Sequence, residues 1–147
     1  MEPKFFEDLR VGMEFRSALS KPLRTWRLVL YALLTGDRLH KKNLSPGKGR
    51  VVQGNFVVAV TGGVLFAVGH FNETLLAQSR KFTWFKKPVY AGERIYAVEE
   101  VTALEDVADK KYGKVTLERR TYNERDELVQ QTEQEYLVLK RTKEPGG

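Results

Sequence analysis

From Asn55 to Gly69 the chain carries no charge and is apolar on nearly every side. The surrounding stretch, Val51 to Phe71, reads VVQGNFVVAVTGGVLFAVGHF. A helix that is apolar all round is normally buried all round. A buried strand also reads as an unbroken apolar run, but strands of this length are uncommon. A membrane span fits poorly: Asn55, Thr61, Gly62, Gly63 and His70 interrupt a run that is barely long enough. Gly62 and Gly63 each cost about 1 kcal/mol against Ala in a helix. They also remove side chains, so a sheet can approach the backbone closely. Gly54 suits a helix start, where free N–H groups point outward. The expectation is an α+β fold, with an antiparallel sheet wrapped around one long central helix from Gly54 to about Gly69.

The chain has 147 residues, which suits one compact domain over 1–147 with a sizeable core. Hydrophobic residues at 41% and charged residues at 30% place it among soluble globular chains and not disordered ones. Cysteine is absent, which excludes a disulfide scaffold and a thiolate metal site. Only His40 and His70 remain as histidine ligands, so no metal site is expected. The opening MEPKFFEDLR has acidic residues and no long apolar core, so it does not read as a secretory signal. A cytoplasmic location is the default expectation. The net charge of +6 fits an acidic partner such as a phosphate-bearing group or an acidic carrier protein. A solvated basic surface is the commoner meaning of such a surplus, which by itself indicates neither nucleic acid nor membrane.

In chain order, Phe5 and Phe6 are expected to tuck onto the core, and Met13 to Ser17 alternates as a short strand. Thr25 is a plausible N-cap for a helix through Leu34, with Leu28, Tyr31, Ala32 and Leu34 facing inward. Gly36 takes the C-cap role in Thr35-Gly36-Asp37. Arg38 to Arg50 reads as a basic loop carrying Arg38, Lys41, Lys42, Lys48 and Arg50. After the central helix, strands are expected over Thr74–Val89, Ile95–Val107, Val115–Tyr122 and Leu128–Leu139, as a meander. Asn123 to Glu127 is the last hairpin turn, and a tail from about Arg141 is expected to be disordered. Phe82 and Trp84 share one face, as core or subunit-interface residues. His70 reads as a helix C-terminal dipole partner or capping group.

These residues resemble a known family. Phe6-Glu7-Asp8-Leu9-Arg10-Val11-Gly12-Met13-Glu14-Phe15 looks like the opening of the MaoC-like dehydratases and (R)-specific enoyl-CoA hydratases of the hot-dog fold. Arg24-Thr25, followed by Leu33-Leu34-Thr35-Gly36-Asp37, resembles their helix ending in a Thr-Gly-Asp turn. Val51-Val52-Gln53-Gly54 resembles the lead-in to the hot-dog helix. Phe82, then Pro88-Val89-Tyr90-Ala91-Gly92-Glu93, resembles the family's Pro-Val-x-x-Gly-Asp/Glu strand and turn, and Asn123 to Val129 resembles the hairpin before the last strand. The similarity runs from about Phe5 to Arg141. It implies reversible hydration of trans-2-enoyl thioesters on coenzyme A or acyl carrier protein, with no cofactor beyond the carrier itself. It also implies a homodimer with the two central helices side by side and the site between subunits.

The family motif is Gly-Asp-x-Asn-Pro-x-His. Gly36-Asp37-Arg38-Leu39-His40 keeps the Gly and Asp, lacks the Asn-Pro pair, and places His40 three residues after Asp37. Lys41-Lys42 stand where an acidic residue often follows the His, and Gln53 stands where a His often precedes the helix Gly.

Adding water to an enoyl thioester needs a base for the water, an acid for the carbon beside the carbonyl, and donors for the developing oxyanion. Asp37 is the candidate base and His40 the candidate acid or water positioner. The N–H groups of Gly54 and Asn55 are candidate donors for the thioester oxygen, in a tunnel open to the basic loop. Lys41, Lys42, Lys48 and Arg50 are candidate contacts for the phosphates of coenzyme A. Each also has a plainer reading. Asp37 suits a turn residue, His40 a solvated loop residue, and the lysines a solvated surface. Three functions remain open: a hydratase or dehydratase, a thioesterase on the same fold, and a non-catalytic acyl-binding subunit of a heterodimer. The presence of both Asp37 and His40 favours the first over the second.

Overall fold

The computed structural model describes residues 2–37, 44–45 and 49–141, of which 44–45 by backbone alone. A short 3-10 turn at Phe6–Asp8 precedes β1 (Glu14–Arg16) and α1 (Thr25–Thr35). A two-stranded hairpin follows, β2 (Leu44–Ser45) and β3 (Gly49–Arg50), within the stretch read as loop. Then come α2 (Gly54–Val68), β4 (Leu75–Phe85), β5 (Ile95–Asp106), β6 (Tyr112–Asn123) and β7 (Leu128–Leu139). The expected tail, 142–147, lies outside the described residues. Arg141, assigned to that tail, is held in place: its guanidinium pairs with Asp8 at 2.7 Å.

Every second residue of β6 is buried, from Gly113 through Val115, Leu117, Arg119 and Thr121 to Asn123. That period of two lays one face of the strand on the interior. β6 pairs antiparallel with β5 and β7, and the sheet order is β1-β5-β6-β7-β4. The expected meander therefore holds only for β5, β6 and β7. β4 does not lie beside β5 but crosses to the far edge and pairs with β7. β4 also ends at Phe85, short of Val89, because the following segment turns across the sheet end. There Lys86 N–H donates to Val129 O at 2.8 Å, and Val89 O accepts from Val52 N–H at 2.7 Å.

α2 lies on the concave face. Val57, Thr61 and Leu65 are buried, and Val60, Val64 and Val68 are half-buried. The expectation of burial on all sides is corrected on the remaining face, where Asn55, Ala59, Gly63, Phe66 and Ala67 are exposed. Within one chain, the sheet covers only one side of the helix. α1 ends as expected, with Gly36 left-handed at φ 79°. Its N-cap is Arg24 and not Thr25, and no side chain caps it. Leu28 is buried, whereas Leu34 is 77% exposed, so the inward face is narrower than expected. The Phe82 and Trp84 rings meet at 4.5 Å, tilted by 51°, with both side chains exposed on β4 and outside the core of this chain.

The core falls into two apolar clusters. One, at the N-terminal end of α2, contains Leu23, Leu28, Val52, Val57, Ile95 and Val129. The other, beyond its C-terminal end, contains Phe15, Phe71, Val101, Leu117, Tyr136 and Val138. Between them the inward face of the sheet is polar, with Glu99, Arg119, Thr121, Thr132 and Gln134 all buried. Thr61 of α2 meets this row through a 2.8 Å hydrogen bond with Thr121.

Phe6 packs against the second cluster, as expected, and its ring lies on Gly113. A Cβ at 113 would stand 2.2 Å from that ring, closer than any real contact. Gly113→Ala should therefore displace Phe6 and destabilise the protein by about 1–3 kcal/mol in urea unfolding. An unchanged midpoint would mean that Phe6 contributes nothing to the core.

His70 is not a charged partner of the α2 C-terminus. Gly69, left-handed at φ 87°, takes the capping position. The imidazole packs on Phe15 at 4.6 Å, and its Nδ1 is buried without a partner. Burial first, then the nearby positive charges of Lys4 and the N-terminus, push its pKa below the ordinary value.

Candidate functional site

Two of the candidates, Gly54 and Asn55, form the first turn of α2. Val52 is pinned to Val89, and Gln53 adopts an extended N-cap conformation at φ −55°, ψ 131°. Gln53 O accepts the amides of Phe56 at 3.0 Å and Val57 at 3.1 Å. The amides of Gly54 and Asn55 carry no hydrogen bond among the described residues. Two free donors thus sit at the positive end of an apolar helix, suited to an oxygen bearing negative charge. Gln130, buried on β7, fixes this turn to the sheet by donating to Gly54 O at 2.9 Å.

Asp37 reaches the same turn from the α1 side. The left-handed Gly36 redirects the chain, and Asp37 N–H donates to Thr35 Oγ1 at 3.1 Å. Gln53, only 4% exposed, then bridges the elements: its Nε2 donates to Leu28 O at 3.2 Å and to Asp37 O at 3.3 Å. The side chain of the residue before the helix thus ties together the carbonyls of Leu28 and Asp37. Tyr31 stacks on Phe56 of α2 at 4.7 Å and lies within the field of Asp37. Burial, and then that negative charge, hold its hydroxyl above the ordinary tyrosine range, so it stays a protonated donor.

On the other side of Gly54 lies a cleft of about 340 Å³, lined by Phe85, Lys86, Lys87, Pro88 and Gln130 among others. Asp37 is not among its lining residues. Phe85 lies so close over Gly54 that a Cβ there would meet its ring at 2.7 Å. Glycine at 54 is what lets an aromatic ring and the helix start share this space.

The remaining candidates divide. His40, Lys41, Lys42 and Lys48 lie outside the described residues. Arg50 is half-buried in β3, and its carbonyl accepts from Ala91 N–H at 2.8 Å. Among the described residues no cluster of His, Asp and Glu could hold a metal ion. No described helix is long and apolar enough to cross a membrane.

At the level of sequence, no family model and no curated protein matches the chain. The structure does have relatives. A monoamine oxidase regulatory protein from Archaeoglobus fulgius superposes with a TM-score of 0.82 at 25% identity, over 95% of this chain and 97% of that one. A MaoC-like dehydratase from Rhodospirillum rubrum gives 0.77 at 21% identity, over 95% and 99%. An (R)-hydratase from Pseudomonas aeruginosa gives 0.70 at 22% identity, over 93% and 86%. The chain has the hot-dog fold, the fold of the MaoC-like dehydratases.

In this hot-dog chain two features of the helix start lay beyond sequence reading. Gln53 shows only as a polar residue before Gly54, because both carbonyls it binds come from α1. Lys86 and Lys87 line the cleft, whereas the basic residues singled out were those of the 38–50 segment. Their signal was a lysine pair directly before Pro88-Val89.

Proposed function

We propose that the protein adds water to, or removes it from, the 2,3 double bond of an acyl thioester carried on coenzyme A or acyl carrier protein. The observation that carries this reading is the pair of unpartnered amides at Gly54 and Asn55, with the Asp37 carbonyl bound by the side chain of Gln53, the residue just before them. The hydratase and dehydratase among the structural relatives support the same reaction class. In the hydration direction, Asp37 takes a proton from water as the oxygen attacks C3. The electron pair of the double bond moves toward the thioester carbonyl, whose oxygen the two amides receive. His40 then delivers a proton to C2. The reverse sequence removes water.

Lys86 and Lys87 at the cleft, with Lys41, Lys42, Lys48 and Arg50, would meet the phosphates of the carrier. Lys87 pairs with Glu127 at 2.7 Å, and the Lys86 ammonium lies over the Trp84 ring at 5.4 Å, so Lys86 is the one without an ion pair among the described residues. The reading includes a homodimer. β4 is an edge strand with Leu76, Phe82, Trp84 and Phe85 exposed, and long apolar edges are covered in stable proteins. The open face of α2 offers a second copy further apolar surface.

The test adds crotonyl-CoA to the purified protein and follows the absorbance of the enoyl thioester. Loss of that absorbance, with 3-hydroxybutyryl-CoA formed, supports the reading. Release of free coenzyme A would make it a thioesterase. Binding without turnover of any enoyl thioester would make it an acyl-binding subunit.

A further inference from the structure

A second cavity, of about 350 Å³, lies farther along α2, between the helix and the polar row of the sheet. Val58, Gly62 and Phe66 line it from the helix. With Gly54 they form one row spaced by four residues, and such residues share a helix face. The row thus runs from the unpartnered amides to this cavity. Gly54 to Gly62 is about 12 Å along the axis. β4 covers both ends of the row, with Phe85 over Gly54 and with Leu75, Gln78 and Arg80 lining the cavity.

The cavity floor is charged. Glu99, Arg119 and Tyr136 are each more than nine-tenths buried. Tyr136 donates to Glu99 Oε2 at 2.7 Å, and Arg119 Nη2 donates to the Tyr136 hydroxyl at 2.5 Å. The Arg119–Glu99 ion pair is 3.6 Å. This uses only Nη2. Arg119 Nε is buried with no partner, and Nη1 has none among the described residues. Nη1 faces Gly62, 3.8 Å from where a Cβ would stand, so the missing side chain leaves the guanidinium open toward the helix. A buried guanidinium with unused donors beside an open cavity is one partner short. The charge balance says which partner. Glu99 balances Arg119, and Arg80, exposed at the cavity's edge, adds one positive charge that a carboxylate would match.

We propose that this cavity receives the far end of the acyl group, and that the preferred substrate is a thioester whose acyl chain ends in a carboxylate. This rests on the reading of the Gly54 end as the thioester site. The chain would lie along Gly54, Val58 and Gly62, with its terminal carboxylate on Arg119.

The test compares suberoyl-CoA with octanoyl-CoA, equal in length and differing at the far end, by calorimetry on the wild-type protein. Suberoyl-CoA should bind about 10–100-fold more tightly, as expected for a hydrogen bond to a charged group. Equal or weaker binding of suberoyl-CoA overturns the proposal. So does equally tight binding of the hydroxyl-ended 8-hydroxyoctanoyl-CoA. Arg119→Met should erase the difference. Gly62→Leu, which fills the cavity from the helix side and spares the ion pair, should weaken suberoyl-CoA much more than crotonyl-CoA. If it weakens both equally, the acyl chain does not follow this row. Crotonyl-CoA turnover without any preference for suberoyl-CoA removes this proposal and keeps the hydratase. A clear preference without turnover keeps this proposal and removes the hydratase.

Discussion

Replacing Asp37 by Asn should lower the rate of enoyl-thioester hydration by about 10²–10⁴-fold, the usual cost of losing one general acid–base group. Folding should be untouched, for a specific reason. Asp37 is fixed through its backbone: its N–H binds Thr35 and its carbonyl binds Gln53. No hydrogen bond or ion pair uses its carboxylate among the described residues, so Asn keeps every anchor and removes only the base. The measurement is a pair: initial rate on crotonyl-CoA, and thermal unfolding of the same sample. A lower rate with an unchanged unfolding curve identifies a base. An unchanged rate makes Asp37 a turn residue. His40→Ala should give a comparable loss if His40 donates the proton to C2.

The elements that local chemistry dictates were legible in the chain. The uncharged run after Gly54 could be placed as the central helix, and Gly36 as the left-handed end of α1, since both follow from side-chain polarity and backbone freedom. β5 and β7 were legible from alternation and from the polar turns that bound them. The place of β4 was not. Period two says that a segment is a strand and which residues share a face, but not which neighbour it finds. The partner of β4 is set by the crossing of 86–94 over the sheet end. The polar interior was hidden for a related reason. In Glu118-Arg119-Arg120-Thr121 both faces are polar, so the inward ones carry no hydropathy signal. Arg119 tolerates burial because Glu99 and Tyr136, on neighbouring strands, pair with its Nη2. Of the candidate site, Gly36-Asp37 and Gly54 stand out in the sequence as residue types, but the Gln53 side chain that binds the carbonyls of Leu28 and Asp37 does not, because it acts between elements.

Truncating Glu99 should have the largest effect on stability. Glu99→Leu leaves the Arg119 guanidinium buried without its counter-charge and the Tyr136 hydroxyl without its acceptor. Breaking a buried pair from one side costs about 3–5 kcal/mol. Whole domains are stable by only about 5–15 kcal/mol, so the variant should unfold near ambient temperature or at low urea. Burial and the Glu99 charge both hold the Tyr136 pKa far above its usual range. Removing the second charge should restore much of the loss: Glu99→Leu with Arg119→Met places apolar groups of similar volume against Leu65 and Phe71, which line the same space. The check is a double-mutant cycle in urea with the midpoints of wild type, both single variants and the double variant. A cost below about 1 kcal/mol for Glu99→Leu would mean that water in the adjoining cavity solvates Arg119 in place of the carboxylate. A double variant no better than the single ones would mean that the three side chains are needed for their shape, and not for their charge.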